Sequence, residues 1–257
     1  MSNNLNLRTA VLYPDRMRIN GDYGNLIVFS NRCRWRGISV ETHTLLPGDT
    51  MPTDFFDFLL FGGGQDRRQQ TFVADDMIKS KTHGIRQAVE DGMVVLATGG
   101  GYQMSGRFFL TEENTRIPGL GLLDMWTVDG KDQISGNIII DTDFLTPPTM
   151  VGFESHSGKT YLGEANIPLG RRVIGEGNNG EDAFEGCRSR TVFGTYLHGP
   201  ILPHNPHFTD HLIHLALDRR YGDIPLAPLD DSLEWEAHQR VLVQAGRGGG
   251  VVNGLMR

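Results

Sequence analysis

Cysteine is nearly absent: the 257 residues contain two, Cys33 and Cys187. Two thiols are too few for a disulfide framework or a cysteine-based zinc site, and a reducing cytoplasm is the simplest address for such a chain. Long apolar runs are missing too. A spanning helix needs about 18 consecutive apolar residues, and no stretch supplies them. The opening residues Met1-Ser2-Asn3-Asn4-Leu5-Asn6-Leu7 have neither a charged n-region nor an apolar h-region, so they do not read as a signal peptide. Basic charge is in deficit. With 24 Lys and Arg against 31 Asp and Glu, the formal net charge is -7. Phosphate contacts need a basic surface, so non-specific nucleic-acid binding is disfavoured. The remaining composition, 39% hydrophobic and 21% charged, is that of a globular chain able to bury a core.

Glycine is what the chain has in excess, with 33 residues. The clusters at 62–64, 99–101 and 248–250 follow no fixed period, which points to tight loops in an α/β protein and away from a repeat architecture. The middle cluster lies in Val94-Val95-Leu96-Ala97-Thr98-Gly99-Gly100-Gly101-Tyr102-Gln103. Five mostly apolar residues run into a turn and then a helix-compatible segment, the pattern of a buried strand, an elbow and a helix N-terminus. Enzymes use such an elbow to present a nucleophile. Here its tip is glycine.

Leu7 to Tyr13 reads as a first strand, and the turn cluster Asn20 to Asn25 leads into a helix through Leu26, Ile27, Phe29 and Cys33, capped by Gly37. Ile38 to Leu45 alternates as a strand does, and Phe55 to Phe61 is a second apolar run. From Ala74 the spacing of Met77, Ile78, Ile85, Ala88 and Val89 predicts one helix, weakened by Gly84. Strands alternating with helices imply a largely parallel sheet covered on both faces. Both glycine loops follow strands, and ligand sites lie beyond the strands' C-terminal ends, so the two loops are expected to face one another. Past residue 110 the pattern turns β-rich, with strands at 122–128, 137–141, 171–174 and 191–196. Thr209 or Asp210 then starts a helix, 230–243 forms a weaker one, and 246–257 is a flexible Gly-rich tail. Residues 1–245 read as a single domain.

Three chemistries compete. Three glycines at a helix N-terminus can cradle a phosphate, but no G-x-x-x-x-G-K-[ST] occurs, and Met104 breaks a G-x-G-x-x-G spacing. His204, His207, His211 and His214 lie close together, yet no Cys or acidic ligand joins them, and a solvated helix face is the better reading. His198 ends the strand-like segment Thr191 to Leu197, in the sheet that carries the elbow, and is placed to act as a general base. A turn histidine held by Pro200 explains it equally well.

Several segments together carry a resemblance: Gly21-Asp22-Tyr23-Gly24-Asn25, Phe61-Gly62-Gly63-Gly64-Gln65-Asp66, Gly100-Gly101-Tyr102-Gln103, Gly119 to Asp124, Gly152-Phe153-Glu154-Ser155-His156, Gly175 to Asn179, and Gly194 to Leu202. From about residue 19 to 245 the chain resembles the glutaminase subunits of lipid II isoglutaminyl synthase (the GatD type), within the CobB/CobQ-like class I glutamine amidotransferases. The resemblance implies a flavodoxin- or Rossmann-like α/β fold, its parallel sheet covered by helices on both faces, with a β-rich second half. It implies a cysteine at the elbow that attacks the glutamine side-chain amide, a histidine that moves the proton, and backbone amides that hold the oxyanion. It further implies a heterodimer with a Mur-ligase-like (MurT-type) subunit that amidates D-glutamate of lipid II in peptidoglycan synthesis. No cofactor or metal is expected in this chain.

Carried over residue by residue, the resemblance places the family histidine on His198 and the oxyanion amides on Gly63, Gly64 and Gly100. The family cysteine falls on Gly99, so the nucleophile position is vacant. The arginine implicated in holding glutamine falls on Gln133, and Lys159 likewise replaces an arginine. No acidic third member is assigned. Thr98, Ser105, Cys33 and Cys187 are poorly placed as substitutes: on a strand, a one-residue shift turns a side chain to the other face. Two functions follow: a glutamine amidotransferase-type subunit in cell-wall precursor amidation, or a catalytically silent scaffold or regulator of its ligase.

Overall fold

The computed structural model describes residues 5–17, 22–64, 67–164 and 166–246, with side chains for all of these except 67–70. Gly21, Gln65, Asp66 and the tail beyond Gly246 therefore lie outside the described residues.

The first half runs β1 (Asn6–Leu12), α1 (Tyr23–Trp35), β2 (Ser39–Leu45), β3 (Phe58–Phe61), α2 (Arg67–Ser80), α3 (Thr82–Glu90), β4 (Val94–Thr98) and α4 (Gly100–Ser105). The second half follows as β5 (Phe108–Leu110), β6 (Arg116–Pro118), β7 (Met125–Val128), β8 (Ile134–Asp141), β9 (Thr149–His156), β10 (Lys159–Leu162), β11 (Gly170–Ile174), β12 (Phe184–Glu185), β13 (Cys187–Ser189), β14 (Val192–Thr195) and β15 (Leu197–His198). Two helices close it, α5 (Pro206–Tyr221) and α6 (Ser232–Gln244).

The main sheet has the order β13-β14-β4-β3-β1-β2. All its pairs are parallel except β13 with β14. Parallel strands are covered on both faces, and β4 is accordingly buried along its whole length. Alternate residues feed two cores. Val94 and Leu96 join α1 and α5 on one face, while Val95 and Ala97 join α2, α3 and α4 on the other. Phe29 of α1 stacks on Phe58 of β3 with ring centroids 4.2 Å apart. The strand-rich half adds a four-stranded sheet, β10-β7-β5-β6, and a five-stranded one, β12-β11-β8-β9-β15. The outer face of the latter is partly covered by α6, where Leu242 meets Ile139 and Val151.

The structure departs from the sequence reading at several elements. The single helix expected from Ala74 is two helices, the first beginning at Arg67 and the second at Thr82. They part at Lys81, whose backbone leaves the helical range. Its buried ammonium donates to Asp76 at 2.8 Å, an attachment that rewards the break. The helix expected from Thr209 or Asp210 begins earlier, at Pro206, since proline at the first helical turn gives up no needed N–H. The run Phe55 to Phe61 contributes only its last four residues to a strand. Phe55 and Phe56 pack edge-on against each other and against His43 instead. Among the described residues, no helix is long and apolar enough to cross a membrane.

Gly84 gains a packing reason. It is buried in α3, and a Cβ there would run into the Met51 carbonyl. Helix propensity favours alanine over glycine by about 1 kcal/mol. Overpacking against fixed backbone costs roughly 1–3 kcal/mol. Gly84→Ala is therefore expected to lower the thermal unfolding midpoint, against its propensity gain, and an unchanged or raised midpoint would show that the Met51 segment yields freely.

Candidate active site

The elbow forms where β4 ends. Gly99 has φ 50° and ψ −115°, a left-handed conformation that costs glycine little and any other residue more. Its N–H donates to the Thr195 carbonyl at 2.9 Å, and its carbonyl accepts the Gln103 amide at 3.0 Å, which starts α4. The two glycine loops do face each other. The Gly101 amide donates to the Gly62 carbonyl at 3.1 Å, and a Cβ on Gly101 would collide with the Phe61 carbonyl. Close approach of backbone to backbone explains glycine at 101, whereas at the tip the positive φ and the neighbouring His198 ring do.

His198 reaches the elbow by a different route from the one expected. The main-sheet strand β14 ends at Thr195, and the chain then crosses to the five-stranded sheet, where His198 pairs with Phe153 of β9. The histidine is therefore in the neighbouring sheet and not in the elbow's own. The departure point is fixed by Glu185, whose carboxylate accepts the Tyr196 amide at 2.6 Å and the Thr195 hydroxyl at 3.0 Å. Burial pushes the Glu185 carboxyl up to about 8 despite these donors.

The third group is Asp22, which the sequence reading left as part of a turn cluster. It immediately precedes α1 and is almost fully buried. Its Oδ1 lies 3.1 Å from His198 Nδ1, and its Oδ2 accepts the Gly63 amide at 2.8 Å. A carboxylate on Nδ1 holds the proton there and leaves Nε2 as the basic nitrogen. That edge of the ring faces the elbow. A Cβ built on Gly99 would lie 2.5 Å from His198 Cε1, 2.6 Å from Nε2 and 3.6 Å from the Gly63 Cα. Acid, histidine and elbow tip thus align in the order of a nucleophilic triad. The tip has no nucleophile, and the imidazole presses into the volume where a side chain would begin. The signal for Asp22 was available: an acid in the turn before α1, after the strand beside β3, lies at the same sheet edge as both glycine loops.

The other expected residues are distributed unevenly. The Gly63 amide is taken by Asp22. Gly100 is the first residue of α4, where an amide has no acceptor within the helix. Gly64 sits half-buried at the end of the facing loop. Gln133 lies just before β8 with its amide on the Ile134 carbonyl at 3.2 Å and the Ser155 hydroxyl at 3.5 Å. Lys159 is paired with Glu181 at 2.9 Å. Of the possible substitute nucleophiles, Ser105 donates to the Gly101 carbonyl, and Cys33 and Cys187 are buried in α1 and β13 with their thiols pushed up to about 12 by burial. Thr98 is buried as well, with its hydroxyl unbonded among the described residues.

Beneath the elbow runs a buried polar chain. Gln103 donates to the Tyr196 hydroxyl at 3.1 Å, and that hydroxyl meets Thr160 at 2.7 Å, which meets Thr127 at 2.8 Å. His156 stacks on Tyr196 at 3.6 Å between centroids, and burial depresses it to about 4, so it is neutral at physiological pH. Glu154 accepts the Glu176 and Gly177 amides at 2.7 and 2.9 Å and so fixes the glycine- and asparagine-rich turn. The histidines of the zinc reading disperse: His207 bonds the Thr149 carbonyl, His211 packs on Phe193, and His214 faces Asp223. Among the described residues, no group of three or more His, Cys, Asp or Glu side chains could hold a metal ion.

Comparison with known proteins agrees with this geometry. Residues 8–206 match the CobB/CobQ-like glutamine amidotransferase domain. The chain is 37% identical over 235 residues to the GatD subunit of the glutamine-hydrolyzing lipid II isoglutaminyl synthase of Staphylococcus aureus, covering 91% of this chain and 93% of that one. It is 36% identical over 233 residues to the subunit of the same name from Streptococcus pneumoniae, covering 90% and 88%. Among solved structures, a glutamine amidotransferase superposes with a TM-score of 0.56 at 17% identity, covering 80% of this chain and 98% of that one. At that identity the likeness speaks for the fold alone.

Proposed function

The chain belongs to the CobB/CobQ-like glutamine amidotransferase family, and from that premise we propose that it is the amidotransferase-type subunit of a lipid II isoglutaminyl synthase that does not hydrolyse glutamine itself. It pairs with a Mur-ligase-like (MurT-type) subunit, which activates the D-glutamate carboxylate and takes free ammonia. The observation that carries this reading is the elbow: Gly99 offers no sulfur, and the His198 imidazole lies 2.5 Å from where a Cβ would stand. Without a nucleophile the acyl-enzyme route is closed, and in a protease with equivalent machinery that loss removes roughly 10⁶-fold in rate. The replacement of the glutamine-holding arginine by Gln133 points the same way. Nothing in the fold suffers, because β4, α4 and the facing loop are held by backbone contacts that need no cysteine.

The buried His198–Asp22 pair favours a second reading, in which the base still serves hydrolysis of some amide. One experiment separates the two. The chain, alone and with its ligase subunit, is assayed for ammonia release from L-glutamine and for lipid II amidation with either glutamine or ammonium as nitrogen source. We expect background ammonia release and an amidated product with ammonium alone. Glutamine-dependent product from the pair would overturn the silent-subunit reading.

A further inference from the structure

At the opposite end of the strands from the elbow, near the start of β14, lies a cleft of about 500 Å³, bounded by α3, the 121–122 loop and the β13–β14 hairpin. Two arginines line it, and each is held in an unusual way. Arg86 donates through Nε to the Leu120 carbonyl at 2.6 Å. Gly121, at φ +62°, makes room for the guanidinium; a Cβ there would come 2.7 Å from Nη2. Arg190 stands in a two-residue hairpin loop, since Ser189 pairs with Val192. Its φ is 52°. Such loops favour asparagine or glycine at left-handed positions, and arginine there carries strain. Strain kept where a better turn residue was available points to a task for the side chain.

Among the described residues, neither guanidinium has a carboxylate within ion-pair distance, in a chain with a formal charge of -7. The same cleft holds one carboxylate, Glu90, and an aliphatic wall that includes Val89, Leu122 and Val192. Two cations, one anion and an apolar wall are complementary to a short aliphatic ligand with two acidic groups and one ammonium. Guanidinium forks are suited to carboxylates.

We propose that this cleft is a binding site for a small α-amino dicarboxylate, separate from the elbow and independent of whether the elbow hydrolyses anything. Arg86 and Arg190 take the two carboxylates, Glu90 takes the ammonium, and the wall covers the methylene chain. The site's distance from Gly99, about the length of the five-residue strand β4 or roughly 15 Å, prevents one small ligand from touching both.

The test is calorimetric titration of the full chain with L-glutamate as probe and with glutarate, which keeps both carboxylates and lacks the ammonium. Saturable one-to-one binding of L-glutamate is expected, with glutarate several-fold weaker. Arg86→Gln and Arg190→Asn are each expected to weaken L-glutamate at least tenfold. Asparagine suits the left-handed turn position, so Arg190→Asn should bind poorly while unfolding at the same temperature as the parent or above it. No saturable binding by the parent chain overturns the proposal. So does undiminished binding by both variants, or glutarate binding as tightly as L-glutamate.

Discussion

Gly99→Cys is expected to give a less stable protein with little glutaminase activity. The new Cβ enters at φ 50°, a strained region for a non-glycine residue that costs on the order of 1–3 kcal/mol. It also arrives 2.5 Å from the His198 ring, which must turn away and loosen its bond to Asp22. A buried hydrogen bond disturbed in this way costs roughly 1–3 kcal/mol. For a chain of this size, each kcal/mol moves the unfolding midpoint by about 2–4 °C. A fall of roughly 4–24 °C follows, read by calorimetry. Active enzymes turn over at about 1 s⁻¹ or faster. Ammonia release from the single variant should stay far below that, because Gln133 cannot supply the charge the resemblance assigns to an arginine there. The double change Gly99→Cys with Gln133→Arg should release at least tenfold more. Turnover of about 1 s⁻¹ from Gly99→Cys alone would mean that the missing sulfur was the site's sole deficiency.

A loss of stability of comparable size is expected at Arg32. Its side chain is 1% exposed and holds two carboxylates: Asp210, through Nε at 2.8 Å, and Asp231, through Nη1 at 2.5 Å. These contacts join α1 to α5 and to the residue just before α6. Removing one member of a buried ion group strands the others, which typically costs 3–5 kcal/mol. Both acids keep partial access to water, so the lower end applies. Arg36, 2.6 Å from Asp210, stays behind as partial compensation. Arg32→Ala should lower the midpoint of denaturant unfolding by about 3 kcal/mol in equivalent free energy, and Arg32→Lys should recover only a fraction, since one ammonium cannot span two carboxylates. A loss under 1 kcal/mol for Arg32→Ala would place the strength of this corner in its apolar packing.

The sequence made the elbow, the facing loops and the main helices legible because each rests on local rules. Glycine at 99 and 101 answers backbone demands, and the runs around β4 and α1 declare their period. What it concealed depends on distant partners. The break at Lys81 seats its ammonium over the Tyr13 ring of a far segment, and Asn205, just before α5, has its side chain bonded to the amide and carbonyl of Val151 in β9. Strand β9 escaped notice because Gly152 interrupts it, and that glycine is there for Leu197, which packs where a side chain would go. His198 was identified as a residue, but its sheet was not: nothing local to Tyr196 says that the chain changes sheets there. Asp22 reads locally as a turn residue, because its two bonds go to residues 41 and 176 positions away.

Those two bonds also hold the fold together at this corner. Asp22 fastens the start of α1 to the glycine loop through one oxygen and to β15 through the other. It would be kept for architecture if no proton were ever moved. His198 shares in that fastening, filling the space beside Gly99 that sulfur would otherwise claim. On the silent-subunit proposal, the pair at 22 and 198 serves as a brace that joins α1, the glycine loop and β15 whether or not a proton is ever moved.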